Sequence, residues 1–166
     1  MTYVLTFYIL MLLVFFTYVG AIWAKYGVLP SISHSYYSLP DNKKFLFTLW
    51  CWGYAIPAMI VGSTPLMFFA GAGIAFVGAA AAYREKMTET VHIIGALSGI
   101  LFSQLSTILD FDLWPITVGF AAIALPLVLT RFIKIKGKTI CKNRTWWIEI
   151  LAFIAMAIVL GIKVVF

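Results

Sequence analysis

Charged positions fall in clusters separated by long apolar runs, and those runs have the length of helices that cross a membrane. From Met1 to Ala24 there is no Asp, Glu, Lys or Arg. A polar segment from Lys25 to Lys44 follows, and Phe45 to Tyr83 is again free of charge. That stretch is too long for one helix, and Gly62-Ser63-Thr64-Pro65 interrupts it with a turn signal. It reads as a hairpin of two spans, 45–62 and 66–83. The cluster Arg84, Glu85, Lys86 and Glu89 leads into a fourth span at 91–109. Asp110-Phe111-Asp112 links this to a fifth span at 113–130. There Asp112 is placed to cap the helix and Pro115 sits in its first turn, while Pro126 kinks it or loosens its end. A basic segment, 131–145, precedes the last span at 146–164, and the first span covers about 2–24. The pattern predicts an all-α fold: a polytopic membrane helical bundle with six transmembrane helices, residues 1–166 forming a single transmembrane domain.

Composition strengthens this reading. The chain is 63% hydrophobic and 11% charged, against roughly 25% charged residues in a soluble domain. So few charges do not cover a water-facing surface. The first span differs from a secretory signal peptide, because it has no basic residue ahead of it and its apolar run exceeds the usual length of about 7–15 residues. Orientation follows from the cations. With six spans, Lys25, Lys43, Lys44, Arg84, Lys86, Arg131, Lys134, Lys136, Lys138, Lys142 and Arg144 share one face, and only Lys163 lies on the other. The positive-inside rule makes the first face cytoplasmic, which is an N-out/C-out topology. This asymmetry, rather than nucleic acid, accounts for the net charge of +6. The basic segment predicts anionic lipid head groups as its partner, at about 1 kcal/mol per cation. Cys51 and Cys141 form no disulfide framework and read as reduced thiols. A bacterial inner membrane is the expected location.

Helices in lipid associate through small residues that allow close approach and through polar groups that need partners. The fourth span has both. His92, Gly95, Gly99, Ser103, Ser106 and Asp110 follow steps of 3, 4, 4, 3 and 4, which keeps them on one helical face. Gln104 and Thr107 lie on its flank. The stripe is either a packing seam or the lining of a polar cavity. In the third span, Gly71, Ala75 and Ala79, with Gly73, Gly78 and Ala82 beside them, form a small-residue surface that predicts close packing on the fourth.

The cytoplasmic mouth gathers ionisable groups. Glu85, Glu89 and His92 fall at i, i+4 and i+7, and Glu89 and His92 have the Glu-x-x-His spacing of metal sites in helical bundles. His34, Asp41 and Glu149 lie on the same side. A divalent metal held by His34, His92 and Glu89 is therefore one reading; ion pairs and interfacial hydrogen bonds without any cofactor are the other. The segment from Gly27 to Pro40 has low charge, many hydroxyls and two prolines, so it either folds back into the bundle mouth or forms a surface connection.

One span, then the Pro-Ser-Ile-Ser-His-Ser-Tyr-Tyr loop at 30–37, then five spans resembles the uncharacterised six-helix bacterial membrane proteins of the Frag1/DRAM-like group. Those are distantly similar to the CREST superfamily of membrane hydrolases, whose members use a Ser, an Asp and three His; this chain has two His. Three functional classes follow. One is a protein that handles a small solute or lipid through a bundle centred on the fourth helix. The second is a structural or accessory protein without a site. The third, implied by the resemblance, is a metal-dependent lipid hydrolase.

Overall fold

The computed structural model describes residues 2–130, 134–135, 138–139 and 143–166. The basic-segment residues Arg131, Lys136 and Lys142, and the second cysteine, Cys141, lie outside the described residues, as does the surface that was expected to meet anionic lipid.

The chain forms helices α1 (Thr2–Tyr26), α2 (Ser35–Ser38), α3 (Phe45–Gly62), α4 (Pro65–Ala79), α5 (Lys86–Leu109), α6 (Trp114–Leu129) and α7 (Arg144–Val165), with a 3-10 turn at Asp41–Lys43. Strands Lys134–Ile135 and Lys138–Thr139 pair antiparallel, Lys134 opposite Thr139. Among the described residues, four segments are long and apolar enough to cross a membrane: Thr2–Tyr26, Asp41–Gly62, Thr88–Leu109 and Arg144–Val165. The apolar helices α4 and α6 are shorter, at 15 and 16 residues.

Each junction has a local cause. Gly27, at φ +72°, ends α1, its N–H bonded to the Trp23 carbonyl. The α3–α4 turn passes through Ser63 in the left-handed region, and the Thr64 hydroxyl then caps α4 by accepting the Met67 N–H at 3.2 Å. Helix α4 stops at Ala79, earlier than the expected end at 83. Beyond it the Ala80 and Ala82 carbonyls are bonded by the side chains of His92 and Thr88 from α5, which removes the need for a further helical turn. Asp112 does not cap α6. It occupies a left-handed conformation in the link, and the helix begins after Leu113 without a side-chain cap. Pro115 does sit at the start of α6, as expected.

Helices α3, α4 and α5 form the tightest stack. A Cβ on Gly73 would lie 2.6 Å from both the Gly95 carbonyl oxygen and the Gly99 nitrogen, so α4 and α5 meet backbone to backbone. The face of α4 that carries Gly71 and Gly78 turns instead to α3, against Met59 and Cys51. Side-chain bonds to helix carbonyls fasten the rest: Thr48 to Gly78 at 2.8 Å, Tyr54 to Phe153 at 2.9 Å and Tyr8 to Ala157 at 3.2 Å. Helix α1 buries Met11, Phe15, Val19 and Ile22, one helical face, against α3 and α7. The outer surface stays apolar, with Leu13, Phe16, Leu97 and Leu125 all exposed.

Candidate functional site

The segment between α1 and α3 enters the bundle. Ile32, Ser33 and Ser35 are buried. Their backbone and hydroxyls are met from many sides, the condition for irregular chain inside an apolar structure. Asn143 Nδ2 donates to the Val28 carbonyl at 3.0 Å, and the Trp146 N–H donates to the Pro30 carbonyl at 3.2 Å. The Ile32 N–H donates to Glu149 Oε2 at 2.5 Å. Ser35 Oγ and the Tyr18 hydroxyl are 2.7 Å apart. Tyr37 accepts the Arg84 N–H at 2.7 Å, and the Arg84 guanidinium lies over the Tyr37 ring. Of the two readings of this segment, folding back into the mouth is the one observed.

His92 is buried, and both its ring nitrogens are engaged. Nδ1 lies 2.9 Å from the Ala80 carbonyl, which can only accept, so Nδ1 carries the proton. Nε2 therefore accepts the Ser33 hydroxyl at 3.1 Å. His34 Nδ1 faces the Tyr83 hydroxyl at 3.3 Å and the Arg84 guanidinium at 3.2 Å. Burial, and then the positive Arg84, hold the His34 imidazole below its ordinary range. Tyr83 touches both imidazoles, its hydroxyl on His34 and its ring 4.9 Å from that of His92. Glu89 is exposed on the first turn of α5. Among the described residues, no group of three or more His, Cys, Asp or Glu side chains is placed to hold a metal ion.

The stripe on α5 divides by depth. Gly95 and Gly99 form the seam with α4. Ser103, Ser106 and Thr107 are buried, and Gln104 is buried with both amide atoms unpartnered. At the far end, exposed Asp110 accepts the Ser106 hydroxyl at 2.7 Å, and Thr64 lies 3.3 Å from Ser106. Lys163 donates to the Gly62 carbonyl there and lies over the Phe111 ring.

Directly under the inserted segment is a cavity of about 60 Å³. Its wall includes Ser33 from the segment, Trp50 and Cys51 from α3, Ser103 from α5, and Glu149 and Phe153 from α7. Glu149 sits deep between the helices yet keeps accessible surface, as a side chain in a cavity wall does. The Trp50 indole N–H is buried without an acceptor among the described residues, at a cost of about 1–3 kcal/mol. Among the described residues, no Lys or Arg lines the space.

Two of these residues were legible only in part. Glu149 is the sole acid of the final span, and an ionisable residue inside an apolar helix is a functional signal by itself. Trp50 carries no such signal, because its sequence neighbours are as apolar as those of a packing residue. The fold and the site define a helical bundle with an apolar exterior and a cavity capped by an inserted segment. Comparison of the chain with family models, with curated proteins and with solved structures finds no match in any of the three.

Proposed function

We propose that the chain is an integral membrane protein that crosses the bilayer six times and handles a small solute or lipid head group in the cavity between α3, α4, α5 and α7. The carrying observation is Glu149, a carboxyl group in the wall of a cavity within a bundle whose exterior is apolar. The one bond it accepts, from the Ile32 N–H, leaves most of its hydrogen-bonding capacity unmet among apolar side chains, a cost that a bound partner would offset. The short helices are compatible with crossing: at 1.5 Å per residue, α4 and α6 measure roughly 22–24 Å, and a bilayer thins locally around a short span. The connections at 25–44, 84–90 and 131–145 then lie in the cytoplasm with the inserted segment, and both termini lie outside. A reporter fused after Phe166 should read as external, and a Gly137→Cys thiol should be labelled only from the cytoplasm. A cytoplasmic reporter would mean an odd number of crossings.

Solute access can be probed from the cavity wall. With Cys51 and Cys141 changed to serine, an Ala96→Cys thiol should react with neutral methyl methanethiosulfonate while the protein is folded, and Ala152→Phe, which fills another part of the wall, should slow that reaction. Reaction only upon unfolding would remove the solute reading and leave a structural protein.

A further inference from the structure

We propose that His34 and Arg84 form an acid-released latch: a proton on His34 Nδ1 frees the inserted segment from the connection between α4 and α5. The latch concerns how the segment is held, and it stands whether or not the cavity takes a solute. Across this contact the Arg84 backbone N–H donates to the Tyr37 hydroxyl at 2.7 Å, and the guanidinium lies 4.4 Å from the centre of the Tyr37 ring. The same guanidinium is 3.2 Å from His34 Nδ1. A guanidinium has only donors, so Nδ1 offers its lone pair and the ring proton sits on Nε2. Nδ1 is then the one place where His34 can take a further proton.

That proton turns an attraction into a repulsion. Protonated Nδ1 has no lone pair left for Arg84, and two cations then stand 3.2 Å apart. Turning the guanidinium away forfeits its contact with the Tyr37 ring, and its backbone is tied to the Tyr37 hydroxyl as well. The Tyr83 hydroxyl, 3.3 Å from Nδ1, serves either form, donating to the neutral ring or accepting from the charged one. It therefore does not decide between them, and Arg84 does. Among the described residues no carboxylate bonds to the His34 ring. Asp41 pairs with Lys44 at 2.7 Å, and Glu85 and Glu89 are exposed at the start of α5. Lys43 and Lys86 add only positive charge to this end of the bundle. Burial, and then Arg84, lower the affinity of the docked imidazole for a proton, so a released His34 binds one more readily. Acid therefore favours release, beginning where an ordinary histidine starts to titrate.

Purified full-length protein in detergent would be followed by amide exchange at the residue-84 N–H from about pH 8 to about pH 5. Each rate would be divided by the unprotected rate at the same pH. The bond from this N–H to Tyr37 crosses the contact, so its loss reports release. We expect steady protection above the ordinary histidine value of about 6.5, and below it a fall of up to about tenfold per pH unit. His34→Gln keeps an oxygen acceptor for Arg84 and takes no proton, so its profile should be flat. Glu149 and His92 are still present in that variant, and a profile that still falls there assigns the effect to them and overturns the latch. The His34 ring in the wild type, read from its NMR shift, should titrate below about 6.5, and Arg84→Gln should raise that midpoint and make the exchange profile shallower. A flat wild-type profile, a His34 midpoint at or above the ordinary value, or a midpoint unmoved by Arg84→Gln overturns the proposal without recourse to the His34 variant.

Discussion

Replacing Gly73 with leucine is expected to destabilise the bundle by about 3 kcal/mol or more, at the upper end of the range for overpacked cores. The Cβ would lie 2.6 Å from the Gly95 oxygen and 2.6 Å from the Gly99 nitrogen, which are backbone atoms of another helix. Neither yields by a side-chain rotation, so α4 and α5 must separate. Gly99→Leu should cost less, because its Cβ would first meet a side-chain atom, Ile74 Cγ1 at 3.2 Å, which has to give by only a few tenths of an ångström. Gly20→Leu should be nearly silent, with nothing within 4 Å of its Cβ, as should Leu97→Ala on the exposed face of α5. Unfolding free energies in mixed micelles give the order. Equal losses at Gly73 and Gly20 would show that the α4–α5 contact is not a principal packing face.

Glu149→Leu is expected to undock the inserted segment while leaving the helices assembled. The Ile32 N–H loses its acceptor inside the bundle, and leaving a buried donor unsatisfied costs about 1–3 kcal/mol. Amide exchange at Ile32 should therefore accelerate roughly tenfold to a hundredfold. Glu149→Gln keeps an oxygen at that position and should preserve most of the protection. Unchanged exchange at Ile32 in the leucine variant would mean that the remaining ties, from Trp146, His92 and Tyr18, hold the segment alone.

The helices were legible because charge punctuates the chain and apolar runs of span length leave little choice between the clusters. The junctions were less so. Asp112 has the chemistry of a cap, yet the Leu113 N–H is taken by the Thr107 carbonyl, and that bond sets where α6 begins. The small residues of α4 announced close packing but not the partner of each glycine. Gly71 and Gly73 are two positions apart, about 200° around a helix, so they face different neighbours. The polar stripe on α5 was visible from its spacing, although spacing does not separate a seam at Gly95 and Gly99 from a cavity wall at Ser103. Least legible was the convergence of Ser33, Trp50 and Glu149, because no periodicity relates residues on three different elements.

The ties of the inserted segment also set an order of assembly. Pro30 and Ile32 find their partners, Trp146 and Glu149, more than a hundred residues later. While the ribosome is still making the first six helical elements, the Pro30 carbonyl and the Ile32 N–H have nothing of their own to bind. The segment can be partly placed by Tyr18 and His92 beforehand, but it closes only when α7 arrives. The loop nearest the start of the chain is thus finished by α7, and a chain that stops before α7 lacks both of these ties.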